Sequence, residues 1–316
     1  MSPDFSMIWQ AALLPDKCPT AALVLSGPIV FREARSILAE SLWWDGRDGL
    51  HWCDIDAGTI HVSGQTGHVD GRDDRTLQLP PPVSAFQPLR DLDGFVFAGR
   101  DYVGVVENDQ LVARIASFEN FSDRIRLNEA KCDPAGRFIV GAMSLDHEPN
   151  TAIYSVDESG EVRTLIGGVG VSNGFEWSDD GSTMWFTDTA TKTIYVGDYS
   201  GDGALSDVHV FSHGLMSDGL TRDASGGFWG GIYVSGSVAH WDANGDVDLE
   251  VDVPAGHVTS VAFGGHGLST LFIATVRENL TESQLEASPL SGSLFRIETA
   301  THGLPVRAFG TPRKGN

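Results

Sequence analysis

A unit of about 45 residues returns along this chain, and no other feature narrows the fold so far. LWWDGRDGLHWCDIDAGTIHV, AKCDPAGRFIVGAMS, GFEWSDDGSTMWFTDTATKTIYVGDYS and GLTRDASGGFWGGIYVSGSVAHWD follow one plan. An apolar strand leads into a turn of the Asp-x-x-Gly kind, then come a bulky strand, a small polar turn and a third strand. Anchored on the first turn, the units fall at Asp45, Asp91, Asp133, Ser178, Asp223 and Gly264, spaced 46, 42, 45, 45 and 41 residues apart. Several short strands per repeat at a period of about 40 to 50 residues specify a β-propeller. Six anchors predict six blades, the second and sixth degenerate in sequence. The segment before Glu40 and the C-terminal SGSLFRIETA are expected to share one blade and close the ring. A length of 316 residues alone would suggest two domains, but no linker interrupts the repeat. The chain is therefore expected to be one all-β domain over 1–316, with a short N-terminal extension of about 1–20. The one helical pattern is TESQLEASP, with Thr281 as its cap.

Five residues before each anchor stand Glu40, Phe86, Asn128, Asn173, Asp218 and Thr259. Equivalent positions of successive blades surround the propeller axis, so a glutamate, two asparagines and an aspartate are expected to converge there. Carboxylates crowded away from water repel one another and are costly to bury. A hard divalent cation resolves that conflict, and carboxylate and amide oxygens suit it. A solvated channel whose polar groups bond to water is the alternative. Arg126 lies two residues before Asn128, on the same face of a strand. It can orient a substrate oxygen, or pair with Glu129 or a neighbouring blade.

Charge narrows the partners. The chain carries 43 acidic against 21 basic side chains, a formal net charge of −22. Phosphate backbones and anionic lipid are held by Lys and Arg, so neither nucleic acid nor a membrane surface is expected as a partner. The acidity serves solubility, or draws a cation to a site. No apolar run is long enough to span a membrane, and the first residues lack a basic segment before their apolar stretch. Cys18, Cys53 and Cys132 have no metal-binding or disulfide spacing. A cytoplasmic protein with no obligate protein partner is the expectation.

Four features are set aside. Gly170–Gly174 fits G-x-S-x-G, but a nucleophile elbow needs a strand-to-helix turn, and FEWSDDGSTMWF reads as two strands. His147-Glu148 lacks the second histidine of a zinc helix. His51, His213 and His257 have no ligand spacing. Trp44, Trp177, Trp185 and Trp229 recur at strand positions and are expected to pack between blades.

AESLWWDGRDGLHWCDID, RLNEAKCDPAGRF, SNGFEWSDDGSTMWFTDTATKTIYVGDYS and MSDGLTRDASGGFWGG, with the tail GSLFRIE…HGLPVRAFG, resemble the gluconolactonase, senescence marker protein and luciferin-regenerating enzyme family over roughly residues 25 to 311. The resemblance implies a six-bladed propeller with a central divalent metal and hydrolysis of sugar lactones. It implies Glu40, Asn173 and Asp218 as metal ligands, and Asn128 as a ligand directly or through water that also meets substrate. Arg126 and Glu129 fall on the substrate side. Calcium leads among the ions, with Mg²⁺, Mn²⁺ and Zn²⁺ as alternatives. In the expected reaction the ion polarises the lactone carbonyl and Asp218 takes a proton from water. A phosphotriesterase-like hydrolase and a non-catalytic calcium-binding propeller are the rival readings. The chain departs from the family pattern at Glu40-Ser41-Leu42, Ser217-Asp218-Gly219 and Glu129-Ala130, and the last bears on which lactone fits.

Overall fold

A computed structural model describes residues 23–47, 49–64 and 67–311. The expected N-terminal extension and Cys18 lie outside them. Six four-stranded antiparallel sheets form the six blades of a propeller. The innermost strands are Ala39–Asp45, Ala85–Pro88, Ile125–Cys132, Ser172–Trp177, Ser217–Arg222 and Val258–Gly264, and each contacts the next around the ring. Ring closure is as the sequence predicts. The sixth blade takes Val258–Gly264, Thr270–Thr275 and Leu294–Glu298 from the C-terminal part and its outer strand, Ile29–Arg32, from the N-terminal part.

Short strands hold together because each interface between consecutive blades buries its own apolar cluster. Phe86, Phe97 and Tyr102 meet Trp43, Ile55 and Ile60 between the first two blades. Trp229 and Val238 meet Phe263 and Ile273 between the fifth and sixth. Trp177 and Trp229 are fully buried, Trp44 stacks on Phe272 of the sixth blade, and Trp185 packs against Phe228 of the fifth. These tryptophans are packing residues. The repeat anchors sit at the turn leaving each inner strand, where a short carboxylate can cap the backbone. Asp133 accepts from Ala135 and Arg137 amides, and Asp223 from Ser225 and Gly227 amides. The one predicted helix is Glu282–Ala287, closed by a capping box on Thr281.

Two features position the site. In five blades the inner strand bulges, its pairing slipping between Glu40 and Trp43, Leu127 and Ala130, Asn173 and Glu176, Ser217 and Leu220, and Val258 and Val261. The second blade has no such slip. A bulge re-aims side chains and bends the strand. At the opposite end of the channel the last described segment crosses the propeller floor. It pairs at Gly303 with Asp223 of the fifth blade and at Phe309 with Leu89 of the second, and Gly310 bonds Gly136 of the third. Among the described residues no helix is long and apolar enough to cross a membrane.

Candidate functional site

The six register residues all lie on inner strands, five of them at the second position of the strand. Four are buried carboxyl or carboxamide side chains, Glu40, Asn128, Asn173 and Asp218: Asn128 bonds Asn173, and the charge of Asp218 acts on Glu40. Phe86 does not join them. In its unbulged strand it packs edge-on to Trp43, with ring centroids 5.5 Å apart. Thr259 is spent on the ring itself, its hydroxyl donating to Ala39 O of the first blade at 2.6 Å.

The residue following each register position explains the local sequence. Gly174 has φ +52°, and a Cβ there would lie 2.7 Å from Leu220 Cβ and 2.9 Å from Asp218 O. Only glycine lets the fourth and fifth blades close at the site. Ser41 occupies the same place after Glu40 at φ +56°. Its hydroxyl accepts from Phe86 N–H at 2.9 Å and donates to Phe86 O, clipping the first blade to the second. In the third blade the position belongs to Glu129, which folds its carboxylate onto the Ala130 amide at 2.9 Å.

Hydrogen bonds fix how the two asparagines present themselves. Thr189 spends its proton on Ser217 O, so its oxygen must accept from Asn173 Nδ2 at 2.9 Å. Asn173 Oδ1 is thereby turned away from Thr189, where it accepts from Asn128 Nδ2 at 3.0 Å. Asn128 Oδ1 in turn accepts from Arg126 Nη1 at 2.6 Å. Asn128 thus couples Arg126 to Asn173. Arg126 Nε and Nη2 have no partner among the described residues.

The carboxylates are the unbalanced part. Burial, then the charges of Asp218 and Glu129, push the Glu40 carboxyl well above its ordinary range. Burial, then Glu129, raise Asp218 to about 8. Burial also takes Glu129 to about 7, against the opposing charge of Lys131. Asp218 is 6% exposed and accepts no hydrogen bond among the described residues. Asp218, which has no donor among the described residues, and Glu40, which accepts only from the Ser41 amide at 3.2 Å, fit a hard cation, and the available donors are all oxygen. No group of three or more His, Cys, Asp or Glu side chains converges as a ligand shell among the described residues. Carboxylate and amide oxygens together make the candidate set.

Below this level the channel becomes structural. Lys131 Nζ bonds Glu176 at 2.7 Å and Leu220 O at 2.8 Å. A cavity of about 60 Å³ follows, floored by Leu304, Pro305, Val306 and Arg307. None of the four convergent residues lines it.

Other candidates disperse. Ser172 opens the fourth blade's inner strand, its Oγ buried with no hydrogen-bond partner and so no base to activate it. His213 bonds Thr193 on an outer strand, and His51 stacks on Trp43. Residues the repeat pattern misses gather at the site's mouth: Asp56, Tyr233, His257 and Glu278. They stand on loops between strands, where a strand register carries no information.

A family model described as "SMP-30/Gluconolactonase/LRE-like region" matches residues 38–277. The chain is 32% identical to a 6-deoxy-6-sulfogluconolactonase of Pseudomonas putida over 284 residues, 87% of this chain and 95% of that protein. It is 30% identical to the pentonolactonase XacC of Haloferax volcanii over 275 residues, 84% of this chain and 91% of the relative. Among solved structures, a calcium-binding protein titled regucalcin from Agrobacterium tumefaciens superposes with a TM-score of 0.81 at 24% identity, covering 90% of this chain and 97% of that one.

Proposed function

The chain belongs to the SMP-30/gluconolactonase/LRE-like family, and from that premise we propose that it is a divalent-metal-dependent hydrolase opening sugar lactones to aldonic acids. The observation that carries the reading is Asp218, a buried carboxylate beside Glu40 that accepts no hydrogen bond among the described residues. Lactonase names among relatives at 30% identity or better support the reaction class.

Glu40, Asn173 and Asp218 would hold the ion, with calcium the first candidate for an all-oxygen set. When bound, the ion supplies positive charge that polarises the lactone carbonyl. Asn128 holds Asn173 by its amide and Arg126 by its oxygen, so it sets the donor geometry without itself having to ligate. The free donors of Arg126 orient the lactone's oxygens. Asp218 accepts the proton of the attacking water as its oxygen bonds the acyl carbon. The ring C–O bond then breaks, and the leaving alkoxide takes that proton. The substrate diffuses freely in the cytoplasm, and no partner chain is needed to complete the site.

The test strips the protein with chelator and follows acid release from a panel of aldonolactones, with Ca²⁺, Mg²⁺, Mn²⁺ and Zn²⁺ restored singly. Turnover returning with an ion is the expected result. A metal-dependent rise in Tm with no lactone opened would overturn the lactonase reading and leave a metal-binding propeller.

A further inference from the structure

The mouth of the channel has a second polar wall, opposite in charge to Arg126. It is built on the longest connection at this end, the 276–293 segment between the second and third strands of the sixth blade. Arg277 and Glu278 amides both bond Ile37 O, at 3.0 and 2.9 Å, which ties the start of this segment to the entry of the first blade. Tyr233, from the fifth blade, is held from three sides. Its amide bonds Met216 O at 3.1 Å, its hydroxyl accepts from Asn279 Nδ2 at 2.9 Å, and its ring stacks on His257 at 4.6 Å and 12°. The Tyr233 hydroxyl then has its proton to give, and Glu278 Oε2 lies at 3.4 Å. That is a long bond, easily surrendered to a better acceptor. Glu278 Oε1 accepts nothing among the described residues.

Arg126 makes no ion pair with any carboxylate among the described residues. Even so, Glu278 is the charge that acts on it most strongly, ahead of Asp56, Glu40 and Asp218. Tyr233 is tied to Met216, two residues before Asp218, and Glu278 to Ile37, three residues before Glu40, so a carboxylate with a free acceptor and the free donors of Arg126 border the same mouth. A hydroxyl suits that arrangement, since it accepts from one group and donates to the other. An anionic substituent does not, because it must approach Glu278 and Asp56 together. We propose that Glu278 and Tyr233 are specificity-determining residues that select neutral, hydroxyl-rich lactones over lactones bearing a carboxylate, sulfonate or phosphate. This rests on the lactonase reading and says which lactones the site takes.

The experiment compares three metal-loaded proteins, the wild type, Glu278→Gln and Tyr233→Phe. The substrates are a neutral aldonolactone, a carboxylated lactone of the same ring size, and an unsubstituted lactone. The wild type should prefer the neutral polyol, and Glu278→Gln should narrow that preference by about tenfold, chiefly through KM of the charged substrate. Tyr233→Phe should lower kcat/KM for the polyol about fivefold more than for the unsubstituted lactone. Ratios that do not move in either variant, or an unsubstituted lactone that loses as much as the polyol, would overturn the wall. Non-hydrolysable neutral and carboxylated lactams, titrated calorimetrically against the same proteins, separate this proposal from the one it rests on. If no lactone turns over yet lactam discrimination depends on Glu278, the reaction falls and the wall stands. If lactones turn over and lactam discrimination ignores Glu278, the reaction stands and the wall falls.

Discussion

At the residue scale the proposed mechanism turns on one carboxylate. Asp218→Asn keeps an oxygen for the ion but removes the base, so kcat should fall by about 10²- to 10⁴-fold with KM little changed and metal still bound by calorimetry. Full turnover with metal retained would reassign the base. The same carboxylates predict how the metal-free protein behaves with pH. Folded Glu129 and Asp218 hold protons up to about 7 and about 8, where the unfolded chain releases them near 4.5 and 3.8. The folded state therefore binds more protons across that window, and stability should fall as pH rises through it. Thermal melts from pH 5 to 8 should show this slope after chelation and lose it with saturating cation. His240 gives a separate signal with metal bound. Burial pushes its pKa down, but the bond to Asp248 and the Asp223 carboxylate 3.4 Å from Nε2 outweigh that and hold it above 6.5. The stability it adds is complete below pH 6.5 and lost as pH rises through its folded value, so His240→Gln should flatten that part of the melt series. Glu40, Asn128, Asn173 and Asp218 were legible in the sequence because they share a register. Glu278, Tyr233 and His257 were not, since they meet only through loops of two different blades.

Elements repeat, and so do the reasons they hold. A bulge accompanies each of Glu40, Asn128, Asn173 and Asp218, and in the sixth blade it accompanies Thr259, which bonds Ala39 O instead. Where the sequence puts Phe86 there is no bulge, and the chain spends the position on packing instead. A period count sees the register but not the slip in pairing, so it cannot say that the second blade's inner strand runs without a bulge. Blade contacts set the cost of truncation. Trp229, fully buried between the fifth and sixth blades, should cost about 3 to 5 kcal/mol as Trp229→Ala in denaturant melts. Ring closure depends on a buried ion pair: Arg32 on the N-terminal strand of the sixth blade meets Asp74 of the first at 2.9 Å. Asp74→Asn leaves that guanidinium its bonds to Phe31 O and Gly64 O but removes its buried counter-charge, and a loss of about 3 to 5 kcal/mol is expected. A loss under about 1 kcal/mol would show the blades' apolar contacts alone close the ring.

For the whole molecule, the repeat made the six blades and their shared closing sheet readable, because each unit must find neighbours to bury its faces. The tail's path across the floor was not readable. HGLPVRAF has no strand period, and its backbone partners, Leu89, Gly136 and Asp223, lie in three different blades. That crossing turns a tube into a cup. Lactone and acid must then use a single doorway in turn, and neither can pass the other at the reacting carbon. The released aldonate should consequently inhibit as a pure competitor of the lactone, with its slope effect on double-reciprocal plots free of any intercept effect.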